Sequence, residues 1–528
     1  ETQSYLPSGF LYRDDQYKLV VYPMIAEGSI TILDYTKHIQ DPRFISPFFF
    51  PREIPVLEAA FSVTLDEGIE VGWNIFGTDS ISINRSETYE KGRRTITWKA
   101  SSIKAFHEEK DGPSGKEIKP NIILFVKSAQ FKDGRKTYLG DVADLYQWYY
   151  QLLNRTNKKN QKELKEFTQN LTKECLSETD KIRTVFQWVQ KNIKYIAVFE
   201  GLGGLIPEDC VDVFRTRYGD CKGMANLTQQ MLESIGINSF IAWVGTRDIP
   251  YSYTANPTLA TDNHMILACY KDGIPKILDP TNRYGSFSIP PYYLQGKQTL
   301  ISKNDSLFEI YEIPVAQANR NLKTDLAELT LEDNSLIGHS NILLTGYCKN
   351  SFENDFTKVN TREEDFINEK FTNGYNKTEI SNIILKGLYD RFDTLLIGYD
   401  LKMEEYAKNI GSKYFINLNL NKTLSNTTID IEKRKYDYIL DFLRTDHSIV
   451  KVAIPEGYEA EYVPESTHFQ NDLVSFDIKY SIEDRRIVMD KNIELKTLRV
   501  TTDDFDQWNQ AIQKLNEAYQ EVITISKH

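Results

Sequence analysis

One cysteine of this chain stands where a helix should begin. Tyr218-Gly219-Asp220-Cys221-Lys222-Gly223-Met224-Ala225 is followed by Leu227, Met231, Leu232 and Ile235 at helical spacing and by Gly236 as a stop, so Asp220 reads as the N-cap and Cys221 as the first turn. A thiol there faces the positive end of the helix dipole, which favours thiolate, although the adjoining Asp220 carboxylate pulls modestly the other way. Downstream, His264 in Asp262-Asn263-His264-Met265-Ile266-Leu267 and Asp279 in Lys276-Ile277-Leu278-Asp279-Pro280-Thr281 lie in short apolar runs that read as strands. A thiol nucleophile, an imidazole base and an orienting carboxylate can together transfer an acyl group. Cys221 would attack an amide carbonyl, His264 would take its proton and return it to the leaving amine, and Asp279 would fix the imidazole tautomer. A thioester resolved by water makes a peptidase or amidase; one resolved by an amine makes an acyl transferase.

At these residues the chain resembles the transglutaminase-like superfamily, a papain-like fold in which a Gly-x-Cys helix start precedes a strand histidine and a Leu-Asp-Pro-Thr strand end. Tyr218 to Lys222, the preceding helix ending Asn192-Ile193-Lys194-Tyr195, and Gly236-Ile237 are similar to bacterial envelope proteins of the Bacteroidetes type, which carry a β-rich domain of unknown function on each side of such a core. Pro51 to Val63 and Ile454-Pro455-Glu456-Gly457-Tyr458 resemble their flanking domains. The resemblance implies a peptide or protein substrate, cell-envelope peptide included, and a periplasmic, envelope or secreted location. Two departures stand out: Gly223, where those proteins often have an acidic residue, and Met265-Ile266, where many such cores have an aromatic. The oxyanion hole would use the Cys221 backbone N–H, with Tyr195 and Asn226 the nearest candidates for a second donor. The competing expectation is a scaffold that binds a peptide, glycan or envelope partner without turnover.

Composition sets the outer bounds. At 528 residues the chain calls for two to four domains, and 41% hydrophobic with 12% aromatic residues, 31 Tyr and 27 Phe among them, describes an ordered, strand-rich protein. A net charge of −12 and the shortness of Lys433-Arg434-Lys435 as a basic run exclude a nucleic-acid partner. Five cysteines without a close pair, and no histidine cluster, predict neither a zinc site nor a disulfide framework, though one bridge stays open; Cys175, Cys210, Cys269 and Cys348 read as packed thiols. No cofactor motif appears, since Gly201-Leu202-Gly203-Gly204 lacks the strand, helix and Lys-Ser/Thr of a phosphate loop. No run of eighteen apolar residues is present, and Glu1-Thr2-Gln3-Ser4 suggests a trimmed chain.

The elements that must position the site follow in order. Residues 1–138 read as an N-terminal β-sandwich, with strand-like runs at Leu19 to Tyr22, Ser29 to Leu33 and Ile69 to Ile75, and with Ser46 to Pro51 as a buried crossover. Residues 139–308 read as the α+β core. It opens on a helix from Asp141 and a lysine-faced second helix to about Leu171; a third, capped by Ser177, carries Ile182, Val185, Phe186 and Val189. A polar stretch from Arg247 to Asn263, with Tyr251 and Tyr253, is expected to be a substrate-facing flap or else an exposed connector. Residues 309–528 read as a C-terminal β-rich domain, with strands at Asp325 to Leu331, Asn341 to Tyr347, Ser448 to Ile454 and Asp472 to Tyr480, ending in an amphipathic helix from Phe505 to Tyr519. The fold class is therefore α+β multidomain.

Overall fold

Alternation of apolar and polar residues along Ile69-Glu70-Val71-Gly72-Trp73 and Thr95-Ile96-Thr97-Trp98 builds two sheets that share one interior. The computed structural model describes residues 2–4, 10–13, 16–22, 26–78, 81–199, 201–358, 362–372, 375–389 and 394–527; Glu1 lies outside them. These residues form two compact units, Glu1–Glu108 with Ser114–Pro314, and Glu109–Pro113 with Val315–His528.

In the first unit, Val56–Leu65, Arg93–Ile103 and Asn84–Glu90 form a three-stranded antiparallel sheet. Asn121–Phe131 pairs antiparallel with Ile69–Phe76, Gly134–Thr137 and Phe48–Phe49. Ile96 and Trp98 from one sheet and Ile122 and Leu124 from the other meet in a single core together with Phe50; of the segment expected as a buried crossover, Phe50 and Pro51 are buried, Ser46 is exposed, and Phe48–Phe49 is a half-buried strand. Leu19 to Tyr22 and Ser29 to Leu33 form no strand. Val21, Ile30 and Ile32 are instead exposed, because β-propensity without a partner strand fixes nothing.

Five helices follow in the same unit: Val142–Leu153, Lys162–Leu171, Glu178–Asn192, Cys210–Thr216 and Cys221–Ser234. Asp141 closes a capping box with Asp144, and Ser177 Oγ accepts from the Asp180 N–H at 3.1 Å. The Cys221–Ser234 helix is buried along nearly its whole first three turns and packs on the strands His264–Lys271 and Ser239–Val244. Those strands sit in a five-stranded antiparallel sheet ordered Ile274–Leu278, His264–Lys271, Ser239–Val244, Gln298–Ser302, Phe308–Glu312. Met265, Leu267 and Cys269 join the helices in one core, while Ile266 and Ala268 serve a second. Cys210 and Cys269 are buried, Cys175 and Cys348 half-buried, and all five cysteines are free.

The second unit is an eight-stranded sheet ordered Thr378–Lys386, Thr394–Met403, Ser335–Thr345, Leu322–Glu332, Arg444–Ala453, Arg486–Leu495, Val474–Glu483, Thr467–Gln470. Every pairing is antiparallel except Leu322–Glu332 with Arg444–Ala453. Its Phe505–Ala518 helix lays Ala511 and Leu515 on the sheet core but is not the last element of the unit, since the strand Ile523–Lys527 follows it and pairs antiparallel with Lys413–Ile416 and Tyr458–Tyr462. The strand expected through Tyr347 stops at Thr345, where Gly346 turns at φ 51° into a helix, Gly346–Lys358. Tyr347 therefore belongs to that helix, its N–H bonded to Asn321 Oδ1 at 3.0 Å.

Arg247 to Asn263 is neither a free flap nor an exposed connector. Tyr251 and Tyr253 are buried, and Asn256 with them. The Tyr251 hydroxyl donates to Asn121 Oδ1 at 3.1 Å, its ring lies 4.6 Å from that of Phe76, and Asn74 Nδ2 donates to the Ala255 carbonyl at 2.9 Å. Tyr253 and Tyr149 both donate to Asp262 Oδ2, at 2.8 and 2.9 Å. Aromatic anchors give a long polar loop enough buried area to pack.

Burial raises Asp262 to about 7 even though the two tyrosines favour its ionised form. A carboxyl that binds its proton more tightly when folded loses stability as pH rises from the unfolded value towards the folded one. Stability measured by urea unfolding is therefore expected to fall between about pH 4 and 7, and Asp262→Asn to flatten that part of the profile. Tyr253→Phe at acid pH is expected to cost about 1–3 kcal/mol, the range for a buried hydrogen bond left half-made.

Candidate active site

The sequence Asp220-Cys221 works locally as expected. Asp220 Oδ1 accepts from the backbone N–H groups of Lys222 and Gly223 at 2.9 and 3.0 Å, and its other oxygen pairs with the Lys222 ammonium. Cys221 is thus the first residue of the helix, 8% exposed. The turn before it is tight. Arg217 closes the preceding helix at φ 63°, a left-handed position that non-glycine residues rarely hold, and its guanidinium lies 4.8 Å over the Trp188 ring. A Cβ on Gly219 would stand 3.0 Å from Val213 Cγ1, a tight contact beside the helix start.

Two strand ends deliver the other partners. His264 begins its strand and Asp279 follows directly after Ile274–Leu278, and the register that pairs Leu267 with Leu278 sets the two diagonally across neighbouring strands. His264 Nε2 lies 2.7 Å from Asp279 Oδ2. Cys221 lies close enough to the same imidazole to help raise its pKa. With Nε2 committed to Asp279, the nitrogen left for sulfur is Nδ1. Of the three residues named from the sequence, His264 and Asp279 are hydrogen-bonded and Cys221 lies near the imidazole.

Asp279 is 2% exposed and well supplied with donors. Besides His264 it accepts from the Tyr293 hydroxyl at 2.7 Å, from the Thr281 N–H at 3.0 Å and from the Thr281 hydroxyl at 2.6 Å. Burial alone would raise its pKa, yet the imidazole charge and these hydrogen bonds hold it below the usual carboxylate value. For His264, burial pulls the pKa down, but the Asp279 charge and hydrogen bond, helped by Cys221, carry it well above the ordinary value. An imidazolium beside a sulfur is the arrangement that stabilises thiolate.

Of the two oxyanion candidates, one reaches the site. Lys194–Tyr195 pairs parallel with Tyr218–Gly219, setting Tyr195 opposite Gly219, two residues before Cys221. Burial first, then the nearby Cys221, raises the Tyr195 pKa, so it stays a hydroxyl donor. Asn226 turns away. Its amide bonds Asn157 and the Glu208 carbonyl at 2.8–2.9 Å, tying the helix to the loop before Cys210. Gly201–Gly204 forms one 3-10 turn.

Sequence reasoning missed two residues. Tyr293, on the short turn Tyr292–Leu294, carries no motif that announces it. Glu208 answers the departure at Gly223: its carboxyl occupies the space a Cβ on Gly223 would need, with Val213 Cγ2 also only 3.1 Å away. An acidic group therefore reaches this place from another segment. Burial raises Glu208 to about 7, the Asp220 charge adds to the rise and Lys222 opposes it. Glu208 Oε2 has no hydrogen-bond partner. Among the described residues no group of three or more His, Cys, Asp or Glu is arranged to hold a metal.

Gly223→Ala is accordingly expected to lose about 1–3 kcal/mol by overpacking, and Glu208→Ala in the same chain to recover most of that loss, measured by chemical denaturation. A Gly223→Ala chain as stable as wild type would contradict the assignment.

Comparison with known proteins bears on the domains and the fold. Residues 165–273 match the model of the transglutaminase-like superfamily, residues 2–107 a domain of unknown function with a solved structure, DUF3857, and residues 412–525 a second such domain, DUF3858. A solved structure described as a candidate protease from Parabacteroides distasonis ATCC 8503 is similar at 14% identity and a TM-score of 0.57, over 91% of this chain and 74% of that one. Another, described as a candidate cysteine protease from Cytophaga hutchinsonii, aligns at 15% identity over 44% of this chain and 74% of that one, with a TM-score of 0.20. No curated protein matches the chain.

Proposed function

We propose, for a chain that carries a transglutaminase-like core between DUF3857 and DUF3858 domains, that Cys221, His264 and Asp279 cleave or transfer peptide amides through a thioester. One observation carries the reading: the His264 imidazole is bonded to a buried, donor-saturated Asp279, and Cys221 at the start of the neighbouring helix adds to the rise of its pKa.

The Cys221 sulfur attacks the amide carbonyl carbon, and the carbonyl oxygen takes up negative charge. The Cys221 backbone N–H at the open end of the helix and the Tyr195 hydroxyl are the two donors proposed for that oxygen. As the C–N bond breaks, His264 passes its proton to the leaving amine. Water, or an amine, then attacks the thioester while His264 takes its proton, and the C–S bond breaks to restore the thiol. Asp279 holds the imidazole tautomer and its charge throughout. We favour hydrolysis of a cell-envelope peptide in a periplasmic or secreted setting, on the resemblance to envelope proteins.

Incubation with a peptide p-nitrophenyl ester, read by intact mass, is expected to give one acyl group on Cys221 and none on Cys221→Ala. His264→Ala should slow acylation by about 10²–10⁴, and Tyr195→Phe should lower kcat by about 10² with little change in KM. Acylation spread over several cysteines would overturn the proposal. In a pH profile, the alkaline limb set by the imidazolium should lie well above the ordinary histidine value; Asp279→Asn should move it down, because burial then acts on His264 unopposed.

A further inference from the structure

The Cys221–Ser234 helix has a second functional-looking face, remote from its thiol. Asn226, Gln229, Gln230 and Glu233 lie on it at helical spacing and help to line a cavity of about 400 Å³, closed by Asn154 to Asn157, Asn238 to Ile241 and Ser302 to Asn304. At 1.5 Å per residue, Gln229 stands about 12 Å along the axis from Cys221. The volume falls within the range of about 300–1,000 Å³ typical of small-molecule sites.

The chemistry of the wall narrows the ligand. Carboxamides dominate it, and they brace one another: Asn157 with Asn226 at 2.8 Å, Gln161 with Gln230 at 3.0 Å, Gln230 with Glu233 at 2.9 Å, and Gln229 Nε2 on the Ser239 carbonyl at 3.0 Å. That bracing fixes the lining before any ligand arrives. It also leaves groups over. The Asn154 and Asn238 carboxamides make no side-chain hydrogen bond among the described residues, and Gln229 Oε1 accepts none. The charges do not ask for a charged ligand. Lys303 is held 3.1 Å from Glu309 and lies over the rings of Tyr270 and Phe240, leaving Glu233 as an acceptor for hydroxyls.

We propose that this cavity binds a neutral saccharide unit. Each sugar hydroxyl both donates and accepts, which matches a carboxamide offering both functions side by side, and the apolar side of a pyranose ring suits the partly exposed Tyr150 and Phe240 rings of the wall. The site is separate from the thiol site and stands whether or not that site turns over.

The test uses the full chain and three probes, N,N′-diacetylchitobiose, cellobiose and maltose, followed by saturation-transfer NMR and calorimetry. At least one is expected to bind with a millimolar or lower Kd, with about tenfold weaker binding in Asn238→Ala and in Asn154→Ala, and unchanged binding in Cys221→Ala. Asn238 and Asn154 are exposed, so neither substitution removes a buried side chain. Absence of binding for all three sugars, binding untouched by the wall variants, or binding lost in Cys221→Ala would each overturn the proposal.

Discussion

A carboxylate taken almost wholly out of water has to be surrounded by donors or give up its charge. Asp279 keeps its charge: His264, Tyr293 and both the N–H and hydroxyl of Thr281 converge on its two oxygens. Much of the first unit can be understood as the means of holding that arrangement. The five-stranded sheet sets the ends of Ile274–Leu278 and His264–Lys271 side by side, and Tyr292–Leu294 returns across them to supply the Tyr293 hydroxyl. Because Asp279 stays ionised, His264 stays protonable well above its ordinary range, and the thiol at the neighbouring helix end has a cation beside it.

What the sequence made legible was local. Asp220 as N-cap, Cys221 in the first turn, Gly236 as stop and His264 at a strand start each depend on a few adjacent residues, and each is where short-range rules put it. Tyr195 was visible as a neighbour of the motif, yet its usefulness depends on the Tyr195 to Gly219 pairing, which no local rule supplies. Tyr293 and Glu208 were not visible at all. One lies fourteen residues beyond Asp279 and the other fifteen before Gly223, and only the tertiary fold brings them in. The misread stretches fail for the same reason in reverse. Leu19 to Tyr22 and Ser29 to Leu33 have strand composition without a partner strand, whereas Arg247 to Asn263 has loop composition but two buried tyrosines that pin it down.

Two carboxyls close to the site, Glu208 and Asp262, are both raised to about 7 by burial, from opposite sides of the sequence motif. Neither belongs to the reacting set, yet each makes the folded core favour the protonated form below neutral pH. The surroundings of the Cys221 helix therefore lose stability as pH rises from about 4 to 7. The Gly223 position shows how such a group is kept. A side chain there would displace Glu208, so the glycine and the glutamate occupy one space between them.

The measurement that goes most directly to the centre is the reactivity of Cys221 towards near-stoichiometric iodoacetamide at neutral pH, read residue by residue by mass spectrometry in wild type and His264→Ala. An activated pair predicts alkylation of Cys221 ahead of the half-buried Cys175 and Cys348, and a steep loss of that rate without the imidazole. A Cys221 that reacts no faster than those two, or as fast without His264 as with it, would contradict the account.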